Sequence, residues 1–128
     1  MNNELAKYRL ESAKEKLVSA RLLYENGQYR DSISRSYYAM LSAARALLST
    51  KKLDSSKHSG VISLFNQHFV KTGVLNKEAG KKLASAKEMR EDSDYEDFVA
   101  VSKEDAEKQI ADAEGFIKEI EEVMPMRE

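Results

Sequence analysis

Through its first 124 residues this chain contains no proline. The only one is Pro125, near the C-terminus, and glycine occurs five times in 128 residues. Proline and glycine break helices and build tight turns, so a chain this short of both favours long helices over sheets. The apolar residues agree. Leu10, Ala13, Leu17, Ala20 and Tyr24 recur at +3, +4, +3, +4, one face of a helix. Ala106, Ile110, Ala113, Ile117, Ile120 and Met124 recur in the same rhythm. No stretch alternates with period 2 for long enough to predict a strand.

The punctuation divides the chain into five helices, at 3–25, 28–50, 57–71, 76–92 and 102–124, in one domain over 1–128. Asn26-Gly27 ends the first, since glycine accepts the left-handed conformation that closes a helix. Asp54, Ser55 or Ser56 can cap the third and Asn76 the fourth. EDSDYEDF at 91–98 reads as a charged, irregular end to the fourth helix. Ser102 with Asp105 resembles a capping box for the fifth. Short turns make neighbouring helices antiparallel. The expected architecture is all-α, an up-and-down antiparallel bundle of four main helices plus a shorter one.

Charge excludes more than it suggests. With 21 basic and 22 acidic residues the formal net charge is -1, so nothing global announces nucleic acid or membrane, and no DNA specificity is expected. Cysteine is absent, which removes disulfides, thiol catalysis and cysteine-held zinc. The N-terminal segment lacks an apolar signal core, and no run approaches a membrane span; the expectation is a cytoplasmic protein. Glu91, Asp92, Asp94, Glu96 and Asp97 lack the central glycine and terminal glutamate of a calcium loop. Neither a metal nor a cofactor is implied.

The second helix carries the candidate site. On ISRSYYAMLSAARALL, residues 33–48, a rotation of about 100° per residue puts Ile33, Tyr37, Met40, Leu41, Ala44, Leu47 and Leu48 on one side. Arg35, Ala39, Ser42, Ala46 and Ser49 fall on the other. A helix apolar on one face and small on the other is expected to pack on both. Arg35 would then enter a crowded surface, where a guanidinium needs an anion. That anion is either a phosphate or a carboxylate of its own bundle or of a dimer mate, with Glu91, Asp92 or Asp94 as candidates. Arg45 reads as a salt-bridge residue, Tyr37 as core, and Tyr38 as open to base stacking. His58 is either a functional histidine or a helix-start residue with a local hydrogen bond. His68 reads as surface or core edge.

Three segments, GQYRDSISRSYYAMLSAARALL at 27–48, KHSGVISLFNQHFVKTGVL at 57–75 and MREDSDYEDF at 89–98, together resemble the HEPN superfamily, in its small stand-alone UPF0332 group. The resemblance implies an all-α bundle, a homodimer and a minimal nucleotidyltransferase partner. Arg90, Asp94 and Tyr95 match the family's own pattern, which implies a structural clamp with Arg90 pairing to Asp94 one turn on. Ribonuclease members of the superfamily carry an arginine, then four to six intervening residues, then a histidine on one helix. The arginine forks onto the scissile phosphate and the histidine moves a proton while the RNA 2′-hydroxyl attacks. In this sequence the motif arginine is Arg35, and the histidine position holds Ser42, which cannot move a proton near pH 7.

The expected function is therefore a dimeric accessory or binding protein, toxin–antitoxin-like. It would hold RNA or nucleotide phosphate in a cleft between protomers, with Arg35, Tyr38, Ser42, Arg45 and His58 as candidate contacts. The alternatives are a metal-independent ribonuclease using Arg35 with His58, and a purely structural dimer.

Overall fold

The structure, a computed structural model, describes residues 3–95 and 100–125, the side chain of Tyr95 excepted. It contains α1 (Glu4–Glu25), α2 (Tyr29–Ser49), α3 (His58–Phe65), α4 (Lys77–Tyr95) and α5 (Lys103–Val123). No strand occurs among the described residues. The fold is all-α, as the missing prolines imply.

The first turn closes as its residues dictate. Gly27 adopts φ 75°. Its N–H donates to the Tyr24 carbonyl at 3.0 Å, and the Gln28 N–H reaches the Leu23 carbonyl at 2.8 Å. This paired pattern satisfies the carbonyls that a helix end leaves free. The chain then turns back, and α1 lies along α2. Ser32 Oγ locks the two by donating to the Ala20 carbonyl at 2.7 Å inside the protein. At the other end of the chain, Ser102 and Asp105 form the expected reciprocal cap on α5, with bonds of 3.0 and 3.2 Å. Helix α5 runs antiparallel to α1: Asn3 meets Pro125, Lys14 meets Glu121 at 2.5 Å, and Tyr24 meets Glu107.

Helix α2 is the axis of the bundle, touching all four other helices. Its predicted apolar face is buried throughout, with Tyr37, Met40 and Leu48 at 0% exposure. Its small face divides. Ala39 and Ala46 are buried, Ser42 and Ser49 half-buried, and Arg35 exposed. Arg35 therefore does not enter a crowded surface of its own chain. Tight packing ends along the line where the alanines give way to Arg35.

Two helix boundaries differ from expectation. The third helix changes character: α3 gives way to one π-helical turn over Asn66–Val70, closed by the Lys71 N–H on the Asn66 carbonyl at 2.8 Å. Asp54, Ser55 and Ser56 do not cap α3; its N-cap is Lys57, with no side-chain cap bond. Asp54 and Ser55 instead build the preceding turn, where Asp54 Oδ1 accepts from the Ser55 N–H at 2.8 Å and Ser55 Oγ from the Lys57 N–H at 3.2 Å. Helix α4 runs through Tyr95, so EDSDY is helical rather than irregular. Ser93 is buried at 3% exposure and Asp94 pairs back one turn, two anchors that a mostly charged stretch conceals. Asn76 caps α4 as expected, its Oδ1 accepting from the Ala79 N–H at 3.3 Å.

Candidate phosphate-binding face on the second helix

Arg35, Tyr38, Ser42 and Arg45 follow one another at +3, +4, +3 along α2, so they form one stripe down the helix. Arg35 is exposed and the other three are half-buried. Among the described residues no carboxylate pairs with Arg35. The acidic candidates α4 could offer are engaged elsewhere: Asp94 holds Arg90 Nε at 3.0 Å and Glu91 holds Lys87 Nζ at 2.9 Å. Asp92 makes no ion pair among the described residues. Arg35 stands instead beside a second cation. On α1, Lys16 has its pKa lowered by burial and then by the charge of Arg35. Lys16 Nζ donates to Ser12 Oγ at 2.7 Å.

The lower half of the stripe gathers residues from three elements. His58 opens α3 half-buried, with its Nδ1 3.1 Å from Tyr37 Oη. Its ring stands edge-on to Tyr38 at 5.7 Å between centroids, and the Arg90 guanidinium lies 5.3 Å from the same Tyr38 ring. The predicted clamp of Arg90 and Asp94 is present and carries an added cation–π contact. The side chain of Tyr95, the clamp's third member, lies outside the described residues.

Among the described residues Arg45 makes no salt bridge. Its Nη2 donates to the Ser55 carbonyl at 3.1 Å, and its Nε is buried with no hydrogen-bond partner. The nearby carboxylate, Asp54, is held by Arg9 at 3.2 Å, and a second Arg9 nitrogen donates to the Arg45 carbonyl at 3.4 Å. Arg9, 36 residues upstream, is invisible to any local reading of the sequence. His58 likewise makes no local bond; its partner is 21 residues away.

The turn that sets His58 in place is crowded. A Cβ at Gly60 would come within 2.1 Å of Ser55 Oγ and 2.8 Å of Ser55 Cβ. Gly60→Ala gains up to about 1 kcal/mol of helix propensity, but displacing Ser55 costs typically about 1–3 kcal/mol. Since Ser55 anchors Arg45, the expected result in urea unfolding is a net loss of about 1 kcal/mol together with shifted Arg45 and His58 resonances. Unchanged resonances would refute the crowding.

Electrostatically the site is positive. Burial lowers the His58 pKa below its ordinary 6.5, and the charges of Arg45, Arg90 and Lys87 push the same way, opposed by Glu91. His58 is neutral near pH 7. The sign of its effect on stability follows. Just below 6.5 the unfolded chain binds a proton that the folded chain refuses, so stability falls as pH drops through that window. Chemical unfolding between about pH 7 and 5 should show this fall, and His58→Gln should flatten it; equal slopes would refute the assignment. His68 sits half-buried in the π turn, away from these contacts, at the core edge as expected.

Ser42 lies on the stripe with no hydrogen-bonded partner among the described residues. No group of three or more metal-ligating side chains occurs among those residues, nor is any helix there long and apolar enough to cross a membrane.

The fold is an all-α bundle whose central helix turns Arg35 outward, one turn before Tyr38. The chain belongs to the HEPN domain family, which matches it over residues 6–123. It is similar to a UPF0332 protein of Thermotoga maritima, 40% identical over 121 residues, covering 94% of this chain and 92% of that one. It is 37% identical over 115 residues to a Methanocaldococcus jannaschii protein named "putative toxin", covering 90% and 85% of the two chains. A UPF0332 protein of Gloeobacter violaceus is 38% identical over 110 residues, covering 85% and 87%.

Proposed function

We propose that the chain is a HEPN binding protein that holds RNA or nucleotide phosphate along the outer stripe of α2. It acts in the cytoplasm as a homodimer whose two stripes share a cleft, with a minimal nucleotidyltransferase partner in a toxin–antitoxin-like pair. One observation carries the reading. Arg35 is exposed, has no carboxylate among the described residues, and stands beside Lys16, whose pKa its charge lowers. The two adjacent cations repel, an effect that Glu15 opposes at Lys16; an incoming phosphate relieves that repulsion and meets a bidentate donor. Tyr38 adds a ring for a base, Arg45 extends the donors by nearly three turns along α2, and His58 adds one from α3. Ser42 in place of a proton carrier favours holding over cutting. The toxin wording attached to one relative supports the paired role.

The second reading is a metal-independent ribonuclease. It is favoured by one observation: His58, neutral near pH 7, is oriented by Tyr37 and lies against Tyr38, as a general base requires. One assay separates the readings. Short single-stranded RNA is incubated with excess protein and chelator, and both binding and end groups are followed. Binding lost in Arg35→Ala, with the RNA intact, supports the proposal. Cleavage to 2′,3′-cyclic phosphate ends, lost in Arg35→Ala and His58→Ala, supports the ribonuclease. No binding at all, with a partner complex that survives Arg35→Ala, leaves only the structural dimer.

A further inference from the structure

The contact between Tyr37 and His58 is not required by a simple phosphate clamp. Tyr37 is at 0% exposure, and its Oη lies 3.1 Å from His58 Nδ1. Two proton arrangements fit that distance. The phenol can donate to a bare Nδ1, or a protonated Nδ1 can donate to Oη. They differ in what they leave behind. Among the described residues Oη has no second partner, so in the second arrangement the phenolic O–H is buried without an acceptor and bears its full desolvation cost. The phenol does not escape this by ionising, because burial pushes its pKa up to about 12. The first arrangement satisfies both groups. It leaves the imidazole proton on Nε2, which no group among the described residues bonds.

We propose that Tyr37 is a positioning residue: it donates its phenolic proton to Nδ1 and fixes His58 in the Nε2–H tautomer, so that a neutral His58 offers an N–H donor to phosphate on the α2 stripe. The donor role rests on the phosphate reading; the tautomer does not. The surroundings suit a neutral donor. Arg45, Lys87 and Arg90 bring positive charge to the ring, which disfavours imidazolium and favours an anion. Glu91 brings the opposing negative charge among the described residues, and it is paired with Lys87. Tyr38 closes one side with its ring. A second proton would have to enter at Nδ1, against the phenolic hydrogen. His58 is therefore a donor rather than a general acid, which accords with a chain whose motif histidine position holds Ser42.

The test is long-range proton–nitrogen NMR on the full labelled chain, with His68 as the internal reference. At pH above about 7 the ligand-free protein should show one His58 tautomer, protonated at Nε2, and a slowly exchanging Tyr37 hydroxyl proton coupled to Nδ1. Inorganic phosphate should then shift His58 Nε2 and spare His68. Tyr37→Phe, which keeps the buried ring, should mix the tautomers and weaken phosphate binding about twofold, since an even mixture leaves half the molecules in the donating tautomer. A wild-type His58 protonated at Nδ1 overturns the proposal, whether or not Tyr37→Phe folds. The right tautomer with an Nε2 that phosphate does not shift overturns the donor role alone. If phosphate also binds equally to Arg35→Ala, the phosphate reading falls and the tautomer stands.

Discussion

Phe116→Ala should cost this protein about 3–5 kcal/mol of folding free energy, the range for emptying a fully packed aromatic site. Phe116 is at 0% exposure and its ring stacks at 5.4 Å on Phe65, which contacts Phe69 in turn. The deletion therefore removes one layer of an aromatic stack joining α5 to α3 and the π turn. Domains of this size are stable by about 5–15 kcal/mol, so the variant should retain a cooperative transition but melt many degrees lower. It should also loosen α3, because Phe65 ends the helix that His58 begins, and the His58 resonance should broaden. A loss under about 1 kcal/mol in urea unfolding would mean that the pocket collapses around the gap and that the stack is not what holds α3.

Arg35→Ala should weaken binding of short single-stranded RNA about tenfold or more. A charge-assisted hydrogen bond contributes about 1.5–3 kcal/mol, and 1.4 kcal/mol is a factor of ten. The exposed setting of Arg35 puts the effect at the lower end, since solvent screens it. A second signature is more diagnostic than the affinity. If Arg35 neutralises a phosphate, its loss should flatten the slope of log affinity against log salt by about 0.7, the value for one contact to a single strand. Arg45→Ala is a poor substitute test, because Arg45 also anchors Ser55 and the turn before α3. Equal affinities and equal salt slopes for Arg35→Ala and wild type would remove Arg35 from the binding face. Thermal unfolding should meanwhile change little, since Arg35 is exposed and pairs with no carboxylate among the described residues.

How far the sequence reaches differs between the core and the site. Leu10, Ala13 and Leu17 in α1, and Tyr37, Met40 and Leu48 in α2, were legible because burial in a helix repeats with the turn. Phe116 was not. It sits one residue before Ile117 in a +3, +4 pattern that Ile117 already satisfies, and a helix between two neighbours buries a wider arc than one stripe shows. The Arg90–Asp94 clamp was legible because both ends lie on one helix. Arg45 misled for the opposite reason. Its carboxylate had been taken by Arg9, far upstream, and its own donor went to a backbone carbonyl that no side-chain pattern marks.

The sequence by itself determined the helices, most of their ends, the family and the position of Arg35 on α2, because each depends on residues within a turn or two of one another. Only the tertiary structure decided that Arg35 faces outward beside Lys16, and that His58 is held by Tyr37 among Arg45, Lys87 and Arg90. Those facts depend on how α1, α3 and α4 lie against α2. Packing of whole faces sets that arrangement, and no spacing along the chain records it.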